Sequence, residues 1–378
     1  MKVVHCITGL SPDGAQRMLL RLTERLQKRG FSNRIISLAR PEPFGDSFVE
    51  KGIPVYSLGL DRSLTGLVGA LNQYRTLIRH LAPDLLQGWM YHANALLSVS
   101  RLSAFPRVPL VWNIRRGMDD YRERKLATRL VIKANSALSH RADKIIFCTQ
   151  QSREQHQEFG FSRSNGLIVG NGFDTDKFAP RPESRERSRK RLGFGTNELV
   201  IGNIGRDDLA KGRQYLFDAF GEVLRRYPQA RLLLVGRGLE SGNRKLQDDL
   251  VARRIRHRTT LLGERGEIEQ LYPAIDVMCS SSISEGFPNV IAEAMASGLP
   301  CVVTDTGSSR ELVEGIGVVV PPRSGGGLAD GLLQVCREGV SGWRERGLRG
   351  RERVRDRYSL DSIADRYADL YRELSEQG

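Results

Sequence analysis

Eleven short apolar runs, rich in β-branched residues, recur along the chain, and what separates them constrains the fold more than any other feature. They read KVVHCI, RIISL, DLLQGW, VPLVWNI and KIIFC, then ELVIGNI, RLLLVG, TTLLG, VMCSS, PCVVT and GVVV. Continuous apolar runs of this length suit strands buried on both faces, as in parallel sheets. The stretches between them, such as Gly14 to Gly30 and Arg213 to Pro228, carry apolar residues at helical spacing and end in Gly or Pro. Strand and helix therefore alternate, which predicts an α/β chain with doubly wound sheets. The runs fall into two sets, divided by NGFDTDKFAPRPESRERSRKRLGFG, where Asn-Gly, prolines and a dense charge run read as a connection. We expect domains at 1–172 and 196–358, a linker at 173–195, and a closing segment at 359–378. The last forms an amphipathic helix with Ile363, Tyr367, Leu370 and Leu374 on one stripe, which must dock on a core.

A chain of 378 residues is long enough for two such domains. With 40% of its residues hydrophobic it is not disordered, and no apolar run approaches the roughly 18 residues of a membrane span. Met1 to Leu10 lacks the basic start, apolar stretch and cleavage site of a leader, so a cytoplasmic protein is expected. Its five cysteines are far apart and mostly inside apolar runs, which fits buried thiols rather than disulfides, a zinc knuckle or a redox pair. Lys and Arg outnumber acids 58 to 44, giving a formal charge of +14 and an attraction to something anionic. From Arg115 to Lys144 there are nine Lys/Arg against four acids, so an anionic surface should meet the first half.

The sharpest motif is SEGFPNVIAEAMASGLP, Ser284 to Pro300. An apolar strand ends in serines, and the turn Gly286-Phe287-Pro288-Asn289 opens a helix of small residues. Backbone amides at Asn289 and Val290 stand where a diphosphate would meet free N–H groups and the helix dipole. Glu293, one turn in, offers two acceptor oxygens to the paired hydroxyls of a ribose, and Glu285, at the strand end, to hydroxyls of an attached sugar. From the residues alone, dipole complementation by Glu293 and a solvated turn acid at Glu285 remain open. The segment resembles the paired-glutamate signature of retaining glycosyltransferase family 4, of the GT-B superfamily. That resemblance implies two Rossmann-like domains facing a central cleft.

The resemblance continues in GNIGRDDLAKGRQYLFDAF, Gly202 to Phe220, where a strand leads to a loop bearing Arg206 and Lys211. In similar enzymes the matching cations bind the donor phosphates and offset the charge that grows as the sugar departs. Together with Glu285 they form the catalytic set the resemblance implies. LLLVGRG places Gly236, and LGERG places Arg265, at strand-end turns where similar proteins hold the nucleotide base, while Thr304 and Gly307 fall at the next strand end. The closing helix resembles one that crosses back to the first domain.

In the first domain GLSPDG, Gly9 to Gly14, occupies the place of a glycine-rich loop, and Gly14 would admit a donor phosphate or acceptor close to the backbone. Here Pro12-Asp13-Gly14 replaces the two adjacent glycines often found. Family members often carry a histidine at the end of the strand matching VPLVWNIRR, where this chain has Arg115; WNIR resembles a subgroup of family 4 enzymes associated with bacterial surface-polysaccharide assembly, which implies Arg115 as a ligand for an acidic sugar, phosphate or pyrophosphate. His92, in QGWMYHANALL, either joins an acceptor cleft with Trp89 or caps its helix.

Two further features have rival readings. Asp174-Thr175-Asp176 spells the metal motif of a different glycosyltransferase fold, but lies in the expected linker, so no metal or other cofactor is expected. The basic amphipathic segment Tyr121 to Ser139 sets Leu126, Leu130, Ala134 and Leu138 at helical spacing among Arg122, Arg124, Lys125, Arg129 and Lys133. It suits either an anionic bilayer or packing on the core. What the resemblance implies is transfer of a sugar, with retention, from a nucleotide diphosphate donor, a UDP-sugar, to a hydroxyl on a lipid-linked or polysaccharide precursor. The enzyme would lie peripherally on the inner face of the membrane. A sugar-nucleotide epimerase or hydrolase would instead need acid and base carboxylates in the first domain, where Asp119 and Asp120 form the suggestive pair. Nucleic acid is not an expected partner, because aromatics are 7% of residues and are not interleaved with the basic runs.

Overall fold

The computed structural model describes residues 1–60, 64–100, 108–118 and 121–376; Asp119 and Asp120 lie outside them. Thirteen described strands form two parallel sheets. The first contains β1 (Lys2–Ile7), β2 (Ser32–Ser37), β3 (Val55–Ser57), β4 (Leu85–Trp89), β5 (Leu110–Ile114), β6 (Lys144–Phe147) and β7 (Gly166–Ile168), in the order β3-β2-β1-β4-β5-β6-β7. The second contains β8 (Val200–Ile204), β9 (Arg231–Val235), β10 (Thr259–Leu261), β11 (Val277–Ser280), β12 (Cys301–Thr304) and β13 (Val318–Val320), in the order β10-β9-β8-β11-β12-β13. Both are Rossmann-like, and each reverses its strand order once, between β1 and β4 and between β8 and β11. Loops leaving the carboxyl ends of strands at such a reversal frame a crevice for ligands.

Burial on both faces explains the apolar runs. Alternate residues of β9 go to opposite cores: Leu232 and Leu234 join Phe217, Phe220 and Leu332, whereas Leu233 and Val235 join Ile275, Met278 and Ile291. All five cysteines are buried and unpaired. The chain divides into two compact units, Met1–Gly172 together with the chain from Leu360 on, and Phe173–Ser359. In the first, helix Leu360–Glu376 buries Ile363, Tyr367, Leu370 and Leu374 against Leu19, Leu22 and Leu26 of helix Gly14–Gln27. Arg29 ties the same helix down through Asp365 at 2.6 Å and Asp361 at 3.2 Å.

The segment read as a linker folds differently. Pro182–Leu192 is a helix of the second unit, with proline in its first turn and Gly193 closing it in the left-handed conformation. Its charges are not all solvated, because Arg189 is buried and pairs with Asp276 at 2.5 Å, as Arg185 also does. Asp276 further accepts from the Val200 amide at 2.8 Å, so the helix is stapled to the start of β8. Asp174 is a turn cap, its Oδ1 accepting from the amides of Asp176 and Lys177.

Candidate functional site

In the second unit the loop after β8 carries Arg206 and Lys211, and the loop after β11 carries Glu285, so the reversal point is flanked by two cations and a carboxylate. Lys211 Nζ is paired with Glu285 Oε1, which also accepts from Ser282 Oγ at 2.8 Å. Both contacts fall on one oxygen, leaving Oε2 for another donor. Arg206 reaches outward, 60% exposed at its side chain, and pairs with Asp208 at 3.0 Å. Asp208 also caps the turn Leu209–Lys211 through the Ala210 amide at 2.9 Å, and that bond, then Arg206, holds its carboxyl below the usual range.

Backbone contacts make this loop rigid. Gly236 has φ 145°, and a Cβ there would lie 2.1 Å from the Gly205 carbonyl, so only glycine lets the β9 turn approach the β8 loop. Gly307, at φ 56°, is pressed against the Gly286 carbonyl in the same way, at 2.4 Å. Beside it Thr304 Oγ1 donates to the Ser282 carbonyl at 2.6 Å. Beneath the loop is a residue the sequence reading passed over. Arg213 is buried, and its guanidinium donates to the carbonyls of Gly205 and of Arg206, the latter at 2.7 Å. Burial lowers its pKa to about 10, so it stays charged at neutral pH and fixes the backbone that aims Arg206.

The helix after the motif runs Asn289–Ala296. Of the two amides expected at its start, that of Asn289 donates to the Phe287 carbonyl at 2.9 Å, so it serves the turn itself. Pro288 is buried as the N-cap, and the Phe287 ring is packed between Phe173, 5.8 Å away and stacked, and Tyr358, 5.7 Å away and edge-on. These two residues shape the turn. Glu293 is 6% exposed and accepts from the Tyr272 hydroxyl at 3.1 Å. Arg265 is exposed and lines a cavity of about 420 Å³ with Leu262, Gln270 and Leu271. None of Arg206, Lys211, Glu285 and Glu293 lines that cavity.

The first unit treats its candidates otherwise. Gly14 opens helix Gly14–Gln27, after a loop in which Ser11 Oγ donates to Asp13 and Gln16 donates to the Gly9 carbonyl at 3.0 Å. Trp89 is fully buried, with its indole N–H on His5 Nδ1 at 3.3 Å, so it is a core residue and not the wall of an acceptor cleft. His92 lies inside helix Met90–Ser100, exposed, and is not its cap. Arg115 is not presented as an open anion ligand. Its guanidinium donates to the carbonyls of Val169 at 2.8 Å and Gly170 at 3.1 Å and to the Tyr367 hydroxyl, and it lies 5.6 Å from the Trp89 ring centre. A cavity of about 800 Å³ opens elsewhere in this unit, beside β3, lined by Leu10, Glu42, Val55, Tyr56, Leu77 and His80 among others; none of the expected ligands touches it.

Among the described residues, no three His, Cys, Asp or Glu gather into a metal-holding group, and no helix is long and apolar enough to cross a membrane. Helix Leu126–Leu138 turns Leu126 (68% exposed) and Leu130 (57%) to solvent, beside exposed Lys125 and Lys133. Its buried residues are Ile132 and Asn135, and of the stripe Leu126, Leu130, Ala134 and Leu138 only Leu138 packs against the core.

Residues 198–338 match the family model "Glycosyl transferases group 1", and residues 12–177 match "Glycosyltransferase Family 4". EpsF of Bacillus subtilis (strain 168), assigned as a glycosyltransferase, is 23% identical over 84% of this chain and 82% of its own. A D-inositol 3-phosphate glycosyltransferase of Corynebacterium aurimucosum is 31% identical over 60% of this chain and 55% of its own. Among solved structures, HepE of Anabaena in complex with UDP shares the fold with a TM-score of 0.87, at 24% identity, over 99% of this chain and 100% of that one. The two family matches fall one in each half of the chain, and the two parallel sheets agree with them: the chain carries a glycosyltransferase family 4 domain followed by a glycosyl transferases group 1 domain, and has the GT-B fold.

Proposed function

We propose that this glycosyltransferase moves a sugar from a UDP-sugar to a hydroxyl of a lipid-linked polysaccharide precursor, with retention at the anomeric carbon and without a metal. The observation that carries the reading is the pairing of Lys211 with Glu285 across the β8/β11 reversal, with Arg206 exposed beside it. A cation held against a carboxylate is poised to exchange that partner for a phosphate oxygen, while Glu285 keeps Ser282 and turns its carboxylate to sugar hydroxyls. Arg206 and Lys211 then stabilise the diphosphate as the glycosidic bond lengthens, the role a metal plays in other transferases. Arg213 contributes by fixing the loop. With the leaving phosphate and the acceptor on one face of an oxocarbenium-like sugar, a phosphate oxygen takes the acceptor's proton and the configuration is kept. Glu293 holds the paired hydroxyls of the donor's ribose.

The solved structures of HepE with UDP and with UDP-glucose support a uridine donor by analogy of fold. The exposed Leu126 and Leu130 amid lysines support an acceptor met at an anionic lipid surface, where apolar side chains insert and cations pair with headgroups.

Calorimetric titration with UDP, GDP and ADP tests the donor, repeated on Lys211→Ala and Glu293→Ala. Binding of UDP that both substitutions weaken is expected. Turnover of UDP-glucose and other UDP-sugars with a polyprenyl-diphosphate-linked sugar should then give a product whose anomeric proton coupling matches that of the donor. An inverted product, a covalent glycosyl-enzyme, or hydrolysis of the donor at the same rate without acceptor would each overturn this reading.

A further inference from the structure

A carboxylate in the middle of a helix of small residues has freedom to turn, and one buried as Glu293 is needs donors to hold it. One of those donors comes from outside its helix. Tyr272 lies in the single turn Tyr272–Ala274 that precedes β11, wholly buried, with its ring edge-on to Phe178 at 5.9 Å. Its hydroxyl sits 3.1 Å from Glu293 Oε2 and 3.3 Å from the Val290 carbonyl. A phenol has one proton to give, and the closer, charged acceptor takes it more strongly. Burial, and then the Glu293 carboxylate, raise the Tyr272 pKa well above its ordinary value, so the phenol remains a donor throughout the working range.

We propose that Tyr272 is a positioning residue that pins Oε2 of Glu293, fixing the carboxylate so that it accepts from both hydroxyls of a ribose, and that this pairing makes the site select ribonucleotides over deoxyribonucleotides. The proposal rests on the reading above that Glu293 holds the donor's ribose. Its physical content is preorganisation. A carboxylate already oriented loses little freedom on meeting two vicinal hydroxyls, and one that has lost a bond holding it gives back more of the second hydroxyl's worth in ordering. Tyr272 touches no substrate in this arrangement and acts through Glu293 alone.

Tyr272→Phe removes a single oxygen and keeps the ring that packs on Phe178. The measurement is the ratio of dissociation constants for 2′-deoxy-UDP and UDP, by calorimetry, in the wild type, in Tyr272→Phe and in Glu293→Ala. The wild type should prefer UDP by at least about tenfold, the worth of one hydrogen bond to a charged group. In Tyr272→Phe that preference should fall to about threefold or less, UDP weakening while 2′-deoxy-UDP changes little. A residue that merely fills the core would weaken both nucleotides alike and leave the ratio where it was, and that result overturns the proposal. A Tyr272→Phe protein that fails to fold overturns it too, by giving the hydroxyl to the core. If the wild type itself binds the two nucleotides equally, the ribose reading of Glu293 is what fails. If Glu293→Ala loses the preference and Tyr272→Phe keeps it, the ribose reading stands and the role of Tyr272 falls.

Discussion

Each sheet reverses its strand order once, and each has a cation near the reversal, yet the two cations have opposite surroundings. Lys211, in the second unit, is paired with one oxygen of a single carboxylate and lies beside the exposed Arg206. Arg115, in the first, is bonded to two backbone carbonyls and a tyrosine from helix Leu360–Glu376, over the buried ring of Trp89. Exchange of Lys211 from Glu285 to a phosphate loses one partner and gains another, whereas exchange of Arg115 would strand two carbonyls and a phenol. A cation at the carboxyl end of a strand is thus open to exchange in one unit and committed as a tie in the other, and what separates them is the number of partners already taken, not the charge.

The largest effect that sharpens this contrast is on turnover. Lys211→Ala should lower kcat by about 10²–10³, the range for removing one group that stabilises a leaving anion, with the unfolding midpoint little changed. Arg115→Ala should do the reverse, costing stability of the first unit and leaving UDP affinity intact. Steady-state rates and urea unfolding of both variants measure this. Loss of turnover in Arg115→Ala with unaltered stability would break the comparison, and would restore Arg115 as a ligand.

Acid should separate the units next. His5 is buried as a neutral ring, accepting from Trp89 at Nδ1 and bonded to Asn33 Oδ1 at 3.0 Å through Nε2. His156 lies 2.6 Å from the Ser152 carbonyl through Nδ1 and takes the Tyr91 hydroxyl at 2.8 Å on Nε2. Burial lowers both pKa values from 6.5 to about 4. The unfolded chain therefore binds these protons first as pH falls, and stability present above pH 6.5 is lost between 6.5 and about 4, by of order 3 kcal/mol for each histidine. Both belong to the first unit, as do Trp89 and Trp112. Urea unfolding followed by tryptophan emission should shift to lower urea between pH 7.5 and 4.5, and UDP-dependent protection of the second unit should persist. A midpoint that does not move over that range would show that the rings charge without cost.

A smaller effect is expected from Tyr367→Phe. It leaves the Asn113 amide, 2.8 Å from the hydroxyl, and Arg115 without that acceptor, at a cost of about 1–3 kcal/mol in the first unit. Nucleotide affinity should stay within about twofold, and a larger change by calorimetry would mean that the helix tie is coupled to the donor site.

How much of this was legible in the residues depends on what each feature needs for its recognition. The eleven apolar runs became β1, β2, β4 to β6 and β8 to β13. The two strands not read, β3 and β7, are three residues long and form the edges of the first sheet, half-buried and so without a continuous apolar run. Helix Pro182–Leu192 had its signals in place, Pro182 at the start and Gly193 at the end, but its many charges outweighed them in the reading. Arg206, Lys211 and Glu285 could be singled out because each sits in a motif with fixed spacing, and the fold brings them to the loops after β8 and β11. Arg213 and Tyr272 could not be, because their partners are backbone carbonyls brought in by the fold and a carboxylate 21 residues away. Arg115 looked like a ligand for the complementary reason, since nothing near it in sequence announces Val169, Gly170 or Tyr367.

The smallest expected change in stability carries the surface question. Leu126 and Leu130 are exposed on a helix whose buried residues are Ile132 and Asn135, so replacing both leucines by serine removes no core contact. Stability should move by less than about 0.5 kcal/mol, the range for substitutions away from the core. If their exposure were an accident of an ordinary surface, nothing else would change. If the helix meets lipid, co-sedimentation with phosphatidylglycerol vesicles should drop sharply in the double variant, and it should drop again in the wild type as salt screens Lys125 and Lys133. Neutral phosphatidylcholine vesicles supply the control, because insertion of leucines without the lysines would retain both lipids alike. Equal sedimentation of wild type and double variant on anionic vesicles would assign the attraction to the positive charge of the chain as a whole, and would leave the first unit's contrast with the second resting on Arg115 and its ties.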